Sequence, residues 1–154
     1  MTTREQLYDT ATRRAAENNL SYAGAILPAE AFELLQLEPA ARLVNVRTRA
    51  ELDWVGRPAI NGEQYVHIEW IRYPGSVPNA EFIQQLRQVA TPDTPILFLC
   101  RSAARSKLAA VAAQKEGFRN AFDLLEGFEG DKDAQGHRKT VSGWCFRGLP
   151  WMGA

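Results

Sequence analysis

Cysteine and histidine are scarce in this chain: two of each among 154 residues. Two cysteines allow at most one disulfide, and a reducing compartment disfavours even that one. His67 and His137 stand far apart, with no Cys or His at ligand spacing, so a zinc-type site is excluded and both read as solvated surface. Charge of one sign is not in excess either. Lys and Arg number 18, and so do Asp and Glu, so no global field recruits nucleic acid or an anionic membrane. No apolar run approaches the length of a membrane span. The polar start Met1-Thr2-Thr3-Arg4-Glu5-Gln6 leads into no apolar stretch of the secretory kind. The cytoplasm is therefore the expected compartment, with neither nucleic acid nor membrane as a partner.

What is present is an alternation of apolar runs and helical patterns. Residues 3–18 read as a helix capped at Thr2 or Thr3, with a narrow stripe of Leu7, Ala11 and Ala15. So weak a stripe suits a helix that packs on a domain surface or meets a partner. Short strands are expected at 22–26, 42–46, 64–68, 95–99 and 120–124. Helices are expected from Pro28 to Gln36, from Asn79 to Val89 and from Ala104 to Glu116. Thr48 followed by Glu51 reads as a capping box. Residues 73–78 read as a Pro- and Gly-rich loop, and the chain from Glu126 onward as loop-like. Neither an internal repeat nor a linker divides it. Strands alternating with helices predict an α/β fold, a three-layer domain with a parallel sheet of about five strands flanked by helices. Residues 1–20 form a helical extension in this reading, and 21–154 a single domain.

In such sheets ligands bind beyond the carboxyl ends of the strands. Cys100 lies at one of those ends, after Pro95-Ile96-Leu97-Phe98-Leu99 and before the Ala-rich helix. Backbone N–H groups and the positive end of a helix dipole converge there, an environment that favours a thiolate. Arg101, Arg105 and Lys107 add positive charge, with no acid among them. Cys145 offers a contrast: no helix and no cationic loop follow it. Arg47, residues 67–75 and residues 126–130 fall at the same end of the sheet. Trp70 and Tyr73 are candidate wall residues. Glu126, Glu129, Asp131 and Asp133 have no regular ligand spacing and read as a solvated acidic loop. Trp144 and Trp151 are expected to cover apolar surface.

Over roughly residues 24–151 the chain resembles the rhodanese family. Leu43-Val44-Asn45-Val46-Arg47 with Glu51 resembles its strand-plus-turn signature, Asp-Val-Arg followed by Glu. Cys100 to Arg105 resembles the active-site loop Cys-x-x-Gly-x-Arg. Gly117-Phe118, Leu125-Glu126-Gly127 and Gly148-Leu149-Pro150-Trp151 fit the same pattern. The resemblance implies a sulfurtransferase in which Cys100 carries sulfane sulfur as a persulfide. Thiosulfate or another persulfide would be the donor, and cyanide or a thiol, including a protein thiol, the acceptor. It implies no metal and no organic cofactor. Arg101, Ser102, Ala103, Ala104 and Arg105 would cradle the anion through backbone N–H groups, with Arg105 bracing the loop or orienting the anion and Arg101 meeting the donor. Arg47 and Glu51 would form a structural ion pair.

Three positions depart from the family pattern: Asn45 for Asp, Ala103 for Gly, and Gly56-Arg57-Pro58 for Gly-His-Ile. An Ala at a position that needs positive φ costs about 1 kcal/mol. Two other functions fit the same residues. A cysteine hydrolase of phosphate or arsenate-like oxyanions would use a loop one residue longer, Cys-x5-Arg, whereas Arg105 is the fifth residue after Cys100 and Ser106 the sixth. A non-catalytic binding or sensing module would tolerate Asn45 and Ala103.

Overall fold

The apolar segments 43–46, 96–99 and 121–124 are buried along their whole length, as strands covered on both faces must be. The structure, a computed structural model, describes residues 2–153; Met1 and Ala154, the outer ends of the two expected segments, lie outside it. The described elements follow in the order α1 (Arg4–Asn18), β1 (Gly24–Ile26), α2 (Pro28–Leu37), β2 (Arg42–Asn45), α3 (Arg49–Val55), β3 (Arg57–Pro58), β4 (Tyr65–His67), β5 (Ile71–Arg72), β6 (Val77–Pro78), α4 (Phe82–Arg87), β7 (Ile96–Leu99), α5 (Ala104–Lys115), β8 (Ala121–Leu124) and β9 (Trp151–Met152). Five strands form one parallel sheet in the order β1-β8-β7-β2-β4. This is the expected three-layer α/β architecture.

Side-chain alternation sorts the two faces. Leu97, Leu99, Phe122 and Leu124 pack with α1, α2, Phe128 and Trp144 on one side. Ile96, Phe98 and Cys100 pack with Phe82 and Leu86 of α4 and Ala109, Ala110 and Ala113 of α5 on the other. Asp123, between Phe122 and Leu124, therefore points with Cys100 to the α5 face.

The N-terminal helix is more firmly attached than its weak stripe suggests. Leu7 and Ala11 are buried in the core. Gly24 lies so close to the helix that a Cβ there would strike the Ala11 carbonyl. Arg14 donates two hydrogen bonds to Glu30 of α2, at 2.7 and 3.0 Å, and one to the Ala25 carbonyl at 2.9 Å. The expected helix at 79–89 is shorter, because the Asn79 side chain accepts the Glu81 N–H at 3.1 Å and ends a turn there instead. Residues 71–78 carry the small β5–β6 hairpin rather than a bare loop. The chain after Glu126 is mostly turns, but it ends in β9, which pairs antiparallel with β3.

Candidate active site

Parallel strands bring their carboxyl ends to one side, and three of the connections there build the site. The first is the turn from β7 to α5, Cys100 to Arg105. Cys100 is 1% exposed and Ala103 is buried, while Arg101 and Ala104 face solvent and Ser102 and Arg105 are half-buried. Ala103 has φ 77°, in the left-handed region, so the family's glycine position keeps its conformation with an alanine in it. We expect Ala103→Gly to stabilise the fold by about 1 kcal/mol. Thermal unfolding reads this as a rise of about 2–4 °C in Tm.

The second connection is the turn after β8, which moulds the outside of the loop. The Cys100 carbonyl accepts the Phe128 N–H at 2.8 Å, and the Arg101 carbonyl accepts those of Glu129 and Gly130 at 3.0 and 3.1 Å. Gly127 makes this approach possible. It has φ 70°, and a Cβ there would lie 2.5 Å from the Arg101 carbonyl carbon. Gly127→Ala is expected to cost about 2 kcal/mol or more and to displace the loop. A denaturant midpoint equal to wild type would show that the contact is not needed.

The third connection, after β2, supplies the ionic frame. Thr48 and Glu51 form the expected capping box. Glu51 then receives both Arg105 Nη atoms, at 2.6 and 2.8 Å. Arg47 lies behind, its side chain wholly buried and 3.8 Å from Glu51. Its Nη1 donates to the Gly56 carbonyl at 2.7 Å, and its guanidinium sits 4.4 Å from the Phe128 ring centre. Glu51 thus bridges two arginines, with its shorter contacts going to Arg105. Burial pushes the Glu51 carboxyl up, but the Arg105 hydrogen bonds, the Thr48 backbone N–H and the charges of Arg105 and Arg47 together hold it down to about 2. Asn45, where the family has Asp, accepts the Arg47 N–H at 3.2 Å and donates to the Tyr65 hydroxyl at 3.2 Å.

Beneath the loop the sulfur enters a hydrogen-bonded chain. Cys100 Sγ donates to Ser106 Oγ at 3.3 Å, and Ser106 Oγ donates to Asp123 Oδ1 at 2.5 Å. Ser106 and Asp123 are both fully buried, and Asp123 Oδ2 has no partner. Burial pushes the Asp123 carboxyl up to about 6, while the Ser106 hydrogen bond pulls the other way. Nothing in the loop spacing points to Asp123; the signal was a lone acid inside an otherwise apolar buried strand.

Other expected residues are distributed differently. His67 is half-buried rather than solvated: its Nε2 lies 2.7 Å from the Arg47 carbonyl oxygen, and desolvation lowers its pKa. His137 is exposed. Trp70 packs edge-on against Phe82 at 5.0 Å, against the core cluster that includes Cys100, and does not line the cavity at Arg101. Tyr73, 72% exposed, borders a cavity of about 480 Å³ beside Arg101 and Arg105. Trp54, 88% exposed, and Arg72 border it too, although sequence reasoning had not singled them out. Glu126 ties its turn to the later segment, accepting from the Gly143 N–H and Arg147, and Asp133 binds its own turn, accepting from the Gln135 and His137 N–H groups. Trp144 is buried in the core, and its Nε1 donates to the Pro150 carbonyl at 2.7 Å. Among the described residues no three His, Cys, Asp or Glu side chains gather to hold a metal. No described helix is long and apolar enough to cross a membrane.

A family model for the rhodanese-like domain matches residues 28–134, and the chain belongs to that family. A solved structure of Rv0390 from M. tuberculosis is 41% identical and covers 86% of this chain and 99% of its own, with a TM-score of 0.79. The uncharacterized protein RP600 of Rickettsia prowazekii is 31% identical over 129 residues, which is 82% of this chain and 95% of that protein. The polysulfide-sulfur transferase homodimer of Wolinella succinogenes shares the fold at 21% identity, with a TM-score of 0.59 over 99% of this chain and 95% of its own.

Proposed function

We propose that this protein is a sulfurtransferase that carries sulfane sulfur as a persulfide on Cys100. The reading rests chiefly on one observation: a buried cysteine just past the carboxyl end of β7, in a six-residue loop whose closing arginine is already bound, through both Nη atoms, to Glu51. The Cys100 thiolate attacks the outer sulfur of thiosulfate. A new S–S bond forms, the S–S bond of thiosulfate breaks, and sulfite leaves with the electron pair. The persulfide anion that remains is held by N–H groups of residues 101–105. Cyanide or a thiol then attacks the outer sulfur and restores the thiolate. This is two-step covalent catalysis, so ping-pong kinetics are expected. The scheme uses no cofactor. The Wolinella succinogenes neighbour adds polysulfide to the candidate donors.

Donors would enter by the cavity at Arg101, between Trp54 and Tyr73. Arg101 is exposed and meets the anion, while Arg105 braces the loop through Glu51. An exposed aromatic rim also suits a protein thiol as acceptor. Both cysteines are free.

The test is mass spectrometry after thiosulfate treatment, where one added sulfur is expected on the peptide containing Cys100. A phosphatase would instead need the Arg105 guanidinium for its substrate. Aryl phosphate hydrolysis should therefore be negligible on the same preparation. Cys100-dependent phosphate release without persulfide formation would reverse this ranking.

A further inference from the structure

We propose that Asp123 is the proton acceptor for Cys100 and receives the thiol proton through the Ser106 hydroxyl. The hydrogen bonds already run in the required direction, from sulfur to Ser106 Oγ and from Ser106 Oγ to Asp123 Oδ1. In the transfer the S–H bond breaks as an O–H bond forms at Ser106. The hydrogen that Ser106 directs at Asp123 moves on to Oδ1. No proton enters or leaves, and one negative charge passes from Asp123 to Cys100. The same hydrogen bonds survive with their directions reversed: Asp123 donates to Ser106, and Ser106 donates to the thiolate.

What favours the exchange is that the two ends are unequally equipped for an anion. Asp123 is wholly buried and its Oδ2 has no hydrogen-bond partner, so ionised it is poorly solvated. Cys100 lies beside Arg101 and Arg105 at the head of α5. The groups acting on this chain come from each neighbouring element. Lys107 of α5 favours the Asp123 anion, Tyr22 before β1 has its phenol raised partly by Asp123, and Arg105 feels the Cys100 charge. Glu129, from the turn after β8, acts on Arg105 in turn. Among the described residues Lys107 is the cation that acts on Asp123 against transfer, and it is exposed to solvent, which weakens its pull. Asp123 touches no reacting sulfur and works through Ser106, so it is a positioning residue. Its use in catalysis rests on the sulfur-transfer reading, but the proton shift itself does not.

The pair shares one proton over the neutral range, and its titration belongs to both groups. The test uses Cys145→Ser protein, so that Cys100 alone reports. Alkylation of Cys100 by iodoacetamide is followed from acid to alkaline pH. A broad plateau between two limbs is expected, because the thiolate fraction there is set internally and not by pH. Asp123→Asn keeps the shape and can donate to Ser106, but takes no proton. It should collapse the profile to a single limb. Ser106→Ala should slow neutral-pH alkylation by about tenfold.

Infrared spectra supply an arm that needs no Asp123 variant. At mildly alkaline pH a buried carboxylic acid band is expected in the parent protein and absent in Cys100→Ser, whose hydroxyl does not ionise. A parent protein with a single-limb profile and no such band overturns the proposal. If plateau and band are present but thiosulfate leaves no persulfide, the relay stands and the sulfurtransferase reading falls. If persulfide forms with neither plateau nor band, the relay falls and the sulfurtransferase reading stands.

Discussion

Cys100→Ser is expected to bring thiosulfate:cyanide sulfur transfer down to the uncatalysed background while leaving the fold intact. A hydroxyl in place of the thiol keeps the size and the hydrogen bond to Ser106, so the buried turn loses little. What it loses is the nucleophile: a serine hydroxyl neither ionises in this range nor holds a sulfur atom as a persulfide. Circular dichroism checks the fold and cyanide turnover checks the activity. Substantial turnover by a folded variant would remove Cys100 from the mechanism. Cys145→Ser is the control and should keep most of the activity. Burial pushes the Cys145 thiol up to about 11, so it stays protonated at neutral pH. A comparable loss in that variant would instead point to a relay between two cysteines.

The second large effect is on stability. Glu51→Gln removes the carboxylate that faces a fully buried Arg47 and pairs with Arg105 through both oxygens. Arg47 Nε and Nη2 have no hydrogen-bond partner, so beyond the Gly56 carbonyl its charge depends on Glu51 and the Phe128 ring. Leaving a buried cation unpaired costs about 3–5 kcal/mol. For a chain of this size that lowers Tm by about 10 °C. Acid repeats the experiment without a mutation. The Glu51 carboxyl is depressed from 4.5 to about 2 in the folded state. A depressed carboxyl contributes fully above its unfolded value and loses that contribution as pH falls through the folded one. Wild type should therefore lose stability on the order of 3 kcal/mol between about pH 4.5 and 2, and Glu51→Gln should lose much less. Parallel urea midpoints for the two proteins across that range would show that Glu51 carries no charge-dependent stability.

The elements that place the site were legible because their signals are local. β7 and β8 are short runs buried on both faces, and Thr48 with Glu51 declares a helix start within four residues. Cys100 and the arginines beside it follow from a strand running into a helix. The partners were not legible, because a parallel sheet joins residues distant in sequence. Arg105 meets Glu51 across 54 positions, and nothing within the loop encodes that meeting. Asp123 meets Ser106 for the same reason. His67 resembled a surface histidine because the carbonyl that engages it belongs to a neighbouring strand's exit. β9 escaped because a two-residue ladder has no period to detect.

The contact between the Cys100 loop and residues 127–130 also sets an order of events during synthesis. A ribosome that has finished α5 has already made Cys100, Arg105 and Glu51, yet the wall against which the loop is cast does not exist. The N–H groups that hold the Cys100 and Arg101 carbonyls arrive with Phe128, Glu129 and Gly130. That segment is fixed in turn by Trp144, whose N–H binds the Gly127 carbonyl and whose ring N–H binds that of Pro150. An emerging chain therefore holds its thiol in an unshaped turn until the tail folds back. The shape of the Cys100 loop is therefore completed only once residues 127–150 have been made, and not with the cysteine itself.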